Sequence, residues 1–161
     1  MKKTTKLEAI LWSIAFPGFG QLLNGHLIKG ILFIILEFTI NVNSSFNQAI
    51  MFSFLGKIKE AATVVDHQWL MFYPCVYMFA MFYAYKFAEG ENPPLSFIPF
   101  AFGAYFVTIG LMYSPKIIYG ISFGPIWLPM LSLLPGLGIG FIIRHIIIKI
   151  ASKPNYSGRP S

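Results

Sequence analysis

Three runs without a single Asp, Glu, Lys or Arg, residues 67–85, 92–115 and 117–143, occupy most of the second half of the chain. Each is close to or above the ~20 residues that cross hydrocarbon as a helix. The apolar pattern predicts six segments: residues 9–23, interrupted by Pro17-Gly-Phe-Gly20, then 27–42, 69–87, 95–113, 117–131 and 134–148. The last uncharged run contains Pro125, Pro129 and Pro135, followed by Gly136 and Gly138. Proline removes an amide donor and glycine weakens a helix, so a break near Pro135 is expected, making two short segments there instead of one straight rod. Lipid cannot satisfy exposed backbone, so breaks at Pro17 and Pro135 should face other helices or an interface. Phe46, Ile50, Phe54 and Ile58 recur near helical spacing and predict an amphipathic interfacial helix.

Polar positions between these segments predict a topology. Asn24, Gly25 and His26 form the turn between the first two segments, residues 43–68 return to the cytoplasm with Lys57 and Lys59, and Glu89-Gly-Glu-Asn-Pro-Pro94 makes an outer acidic turn. A half-depth first segment that enters and leaves on one side is the alternative, expected to keep Lys57 and Lys59 inside and to give four full crossings plus re-entrant pieces. The expected class is therefore all-α, a polytopic helical membrane protein with four to six membrane segments in one domain.

Composition agrees with the pattern. The chain is 56% apolar and 11% charged, against about 25% charged in a soluble domain. Its net charge of +6 is clustered, with Lys2, Lys3 and Lys6 at the front and Arg144, Lys149, Lys153 and Arg159 at the back. Positive-inside bias places both termini in the cytoplasm and implies an even number of crossings. No polar domain presents these cations, which argues against a nucleic-acid partner. The opening superficially matches a signal peptide but lacks a convincing small-residue cleavage site, so it is read as retained. Cys75 is the single cysteine; an intramolecular disulfide, a metal cluster and a CxxC redox pair are excluded.

The most specific phrase is SIAFPGFGQLLNGHLIKGILF, residues 13–33. Pro17, Gly18, Gly20, Gln21, Asn24, Gly25, Lys29 and Gly30 match the pattern PGxGQxYxGxxxKG, with Leu23 in place of the usual aromatic residue. Over about 40 residues the chain resembles small bacterial membrane proteins of the TM2-like type and the N-terminal segment of maltose-type ABC permeases. The resemblance implies a membrane hairpin and permits a transporter association. Physically, the glycines permit a turn or close helix crossing, Gln21 and Asn24 can bond freed backbone groups, and Lys29 can reach interfacial phosphate. Pro135-Gly-Leu-Gly138 echoes Pro17-Gly-Phe-Gly20; two copies of so short a phrase occur easily in a Gly-rich membrane protein, and a true internal repeat of inverted topology is the alternative.

Glu37 lies inside the apolar run GILFIILEFTI and is the candidate intramembrane polar site, with Lys29 and Asn41. Three environments are compatible with it: neutral in lipid, paired with Lys29, or facing a polar cavity. Lys29 is eight residues away, about 12 Å along a helix, a gap long side chains do not easily close. Asn41 and Asn43 favour a polar exit from the membrane. His26, His67 and His145 read as interfacial residues, and no grouping of Ser, His and acid has a catalytic pattern, so neither enzyme activity nor a cofactor is expected. The sequence reading is a non-catalytic accessory or scaffold subunit in the bacterial cytoplasmic membrane. Its expected partners are the bilayer and a larger membrane complex, such as an ABC transporter, or further copies of itself. The alternatives are a small transporter or channel using Glu37, and a protein conferring immunity to membrane stress or peptides.

Overall fold

A computed structural model describes residues 3–152. They are predominantly helical: α1 (Lys6–Ala15), α2 (Phe19–Leu23), α3 (Leu27–Ser44), α4 (Phe46–Phe54), α5 (Ile58–Val64), α6 (His67–Leu70), α7 (Tyr73–Phe87), α8 (Phe97–Tyr113) and α9 (Gly124–Ala151), with β1 (Ile117–Ile118) and β2 (Ile121–Ser122) before α9. Lys2, Lys153 and Arg159 of the basic flanks lie outside the described residues.

Local chemistry sets the boundaries. Thr5 caps α1 in a reciprocal capping box with Glu8. Asp66 caps α6 by accepting from the amides of Gln68 and Trp69. Tyr119 and Gly120, both at positive φ, turn the β1–β2 hairpin, in which Ile118 pairs with Ile121. Two helices, α3 and α9, are long and apolar enough to cross a bilayer. Only 28% of the apolar window of α3 and 22% of that of α9 is buried, unlike the sheathed core helix of a soluble protein.

The expected break at Pro135 does not occur. Residues 117–122 form the β-hairpin, and α9 then runs unbroken for 28 residues, about 42 Å, through Pro129, Pro135, Gly136 and Gly138. The reason is packing against α8, the most extensive helix contact in the fold. A methyl on Gly136 would sit 2.9 Å from the Phe102 carbonyl and 2.7 Å from Phe106 Cβ, and one on Gly140 2.7 Å from Pro99 Cα. The small residues bring two backbones together, and that contact stabilises a helix the prolines would otherwise weaken.

The order of the helices divides the bundle into two ends. At one end, Glu89 N donates to Thr4 O at 2.8 Å, Lys6 Nζ donates to the carbonyls of Tyr85 and Ala88 and to Asn92 Oδ1, and Arg144 Nε donates to Pro94 O. At the other, Asp66 N donates to Ser44 O, His67 lies 3.4 Å from Ser114 Oγ, and Trp127 Nε1 donates to Ser53 O. Thus α3, α7, α8 and α9 each run from one end to the other. The short α1 and α2 do not: they fold back on each other, so that Thr4 and Asn24 meet at the same end.

This arrangement overturns the sequence-based placement of two connections. The turn at residues 89–94 shares an end with the chain start and with Arg144, whereas Lys57 and Lys59 lie at the opposite end. The chain reverses within residues 9–23, so α3, α7 and α8 run opposite to the direction expected from six full segments, whereas residues 134–148 of α9 run toward the chain start as expected.

Candidate functional site: a buried carboxyl beneath a helical hairpin

The phrase at residues 13–33 builds the hairpin. Gly18 adopts φ 108°, and a methyl there would lie 2.6 Å from Gly30 O, so only glycine fits both the turn and the crossing with α3. Pro17, buried beside it, ends α1. Gly20 presses α2 onto Ala84 of α7 and Ser13 of α1. Gly30 faces Leu22 and the Gly18 carbonyl, so α3 also crosses close to α2. Gln21, fully buried, donates to Ala80 O at 2.6 Å. Asn24 accepts from both the amide and the hydroxyl of Thr4 and donates to Ala84 O. Gly25, at φ 82°, starts the turn into α3 with open space around it. Pro17, Gly18, Gly20, Gln21, Asn24 and Gly30 therefore hold the hairpin, whose sharp bend is at residues 16–18 instead of 24–26.

Lys29 and Glu37 are separated by the fold. Lys29 donates to the Tyr83 hydroxyl and stands over the Tyr83 ring, 4.4 Å from its centre. Glu37 lies two turns further along α3, about 15 Å from its start and about 10 Å from its end. It is 6% exposed. Asn41 Nδ2 donates to its Oε1 at 3.2 Å, and among the described residues no ion pair reaches it. Asn41 in turn exchanges hydrogen bonds with Asn47, whose amide donates to Asn41 Oδ1. A polar track thus runs from Glu37 to the start of α4 at the far end of the bundle.

Glu37, Asn41 and Asn47 line a cavity of about 430 Å³. Its roof is the hairpin bend, Ile14, Ala15 and Phe16, and its opposite wall is Tyr73 and Tyr77 at the start of α7. The Tyr77 hydroxyl donates to Ile14 O, one of the carbonyls left open where α1 ends. Tyr73 stacks on Tyr77 with ring centres 5.3 Å apart, and Phe46 lies 4.6 Å from Tyr73. The sequence drew attention to Glu37 and Asn41 but not to Phe46, Asn47, Tyr73 or Tyr77 as partners; only the fold-back of α1–α2 brings these together. Pro135, Gly136 and Gly138 take no part in the cavity. Among the described residues no three of His, Cys, Asp and Glu converge.

No family model matches the chain, and no curated protein and no solved structure matches it.

Proposed function

We propose that the chain is a multi-pass helical membrane protein that acts without catalysis, as a small transporter or channel, by binding a cation at Glu37. The observation that carries this is the buried Glu37 carboxyl, held by Asn41 at one oxygen, open to a cavity and without a counter-ion among the described residues. An ionisable group at such depth is costly in hydrocarbon and marks a substrate or ion pathway when it faces a polar space. In this reading α3, α7, α8 and α9 cross the bilayer and α1–α2 is a re-entrant hairpin whose bend covers the site. Irregular backbone at membrane depth is tolerated where protein or a cavity surrounds it, as at residues 16–18.

The basic residues support an orientation. Lys3, Lys6, Lys86, Arg144 and Lys149 belong to the end with the chain start, against Lys57, Lys59 and Lys116 at the other. Positive-inside bias then puts the former in the cytoplasm and opens the polar track from Glu37 outward. The resemblance of residues 13–33 to TM2-like proteins and maltose-type permeases fits the re-entrant hairpin. An accessory role in a larger complex has no comparable feature behind it, and Glu37 moves the transporter reading ahead of it.

The test is flux in proteoliposomes, with protons, potassium and tetramethylammonium as probes, comparing wild type with Glu37→Gln. At least one flux should fall about tenfold or more in the variant, as expected when a binding charge is removed. Equal fluxes for all three probes in both proteins would end this reading.

A further inference from the structure

A second cavity, of about 610 Å³, adjoins the first. It runs between α7 and α9 over a floor of α8, from Pro125 at one end of α9 to Phe141, about 24 Å along the helix. One leaflet of hydrocarbon is about 15 Å deep, so the groove can hold a whole lipid-like chain. Its walls are aliphatic and aromatic side chains, among them Met78, Val107, Met130 and Leu133. The two cavities share Ile14, Phe46, Ile50, Tyr73 and Tyr77, so the groove meets the Glu37 chamber at a collar containing three aromatic rings.

From this we infer that the occupant is a lipophilic cation, a hydrocarbon chain bearing a quaternary ammonium, with its head among Glu37, Phe46, Tyr73 and Tyr77 and its chain between α7 and α9. Charge complementarity selects the head: a carboxyl with no counter-ion among the described residues faces the chamber, and aromatic faces attract a cation that cannot donate hydrogen bonds. The groove selects the tail, because it offers length and apolar contact with almost no polar group to satisfy. A small hydrated ion would use the chamber and leave the groove without a role. This inference rests on the Glu37 cation site proposed above and names its ligand class.

The test uses the full chain in nanodiscs, with a photoreactive dodecyltrimethylammonium as probe and tetramethylammonium and dodecyl maltoside as competitors. Saturable labelling should map to α7 and α9 and fall about tenfold in Glu37→Gln, and unlabelled dodecyltrimethylammonium should compete at least about tenfold better than tetramethylammonium, since each buried methylene adds affinity. Dodecyl maltoside, with the tail but no charge, should compete poorly. Met130→Trp, and independently Val107→Phe, should narrow the groove and remove the chain-length advantage while tetramethylammonium still competes. Glu37-dependent labelling that both ammonium compounds displace equally, unchanged by either groove variant, would overturn the inference and leave the cation site standing. Labelling that ignores Glu37 altogether would overturn both.

Discussion

Gly20 and Gly25 lie five residues apart in one phrase, yet a methyl group affects them for different reasons. At Gly20 it would meet Ala84 Cβ and Ser13 Oγ at 2.6 Å, contacts that require two helices to part. At Gly25 it would meet nothing within 4 Å, and the cost is the left-handed backbone alone. Gly20→Ala should therefore destabilise by about 1–3 kcal/mol through overpacking, and Gly25→Ala by only about 1 kcal/mol. Thermal midpoints in one detergent would rank them, and Gly25→Asn, which tolerates that backbone better, should recover most of the smaller loss. Glu37 makes the opposite kind of prediction. Breaking a buried ion pair costs about 3–5 kcal/mol, but Glu37 has only Asn41 as a partner in the described residues. Glu37→Gln should leave the unfolding midpoint unchanged or raised; a large drop would mean the carboxyl serves the fold instead of a ligand.

Among the elements, α9 shows most clearly what sequence patterning can and cannot convey. Pro129, Pro135, Gly136 and Gly138 are helix-weakening residues when read alone, and a break was the natural expectation. Whether they break a helix depends on the neighbour, and α8 offers Gly103 and Gly110 in return, the latter against Pro129 and Ser132. Packing of that kind is nonlocal and leaves no mark in a run of hydropathy. The two central glycines also differ: Gly136 is pressed onto Phe102 and Phe106, whereas Gly138 faces open space. Gly136→Ala should cost about 1–3 kcal/mol, while Gly138→Ala should be neutral or stabilise by up to about 1 kcal/mol through helix propensity. Equal effects from the pair would mean α8 and α9 are not packed in this register. By contrast, α3 was legible from its apolar run, and Pro17, Gly18 and Gly20 marked an interruption of the first segment by residue type, although the reversal itself was expected at residues 24–26.

At the scale of the whole molecule, the early hairpin decides everything that follows. Residues 9–23 contain enough apolar side chains for a crossing, so a full segment and a half-depth entry were both open from the sequence; Gly18 turns the chain back after only ten residues of α1. That single reversal moves residues 57–59 away from the chain start and brings residues 89–94 beside it. It also suspends Ile14 to Phe16 above Glu37, so the candidate site and the topology stand on the same event. Charge counting alone had no access to this, because a segment that folds back and one that runs straight have the same composition. The direct measurement is labelling by a membrane-impermeant thiol reagent of single cysteines at Lys59, Glu91 and Ser152, in a Cys75→Ser background, in intact cells and in inverted vesicles. The account predicts that Glu91→Cys and Ser152→Cys react only from the cytoplasmic side and Lys59→Cys only from the other. Lys59→Cys and Ser152→Cys labelled from the same side, with Glu91→Cys opposite, would contradict the re-entrant hairpin and the cavity it roofs.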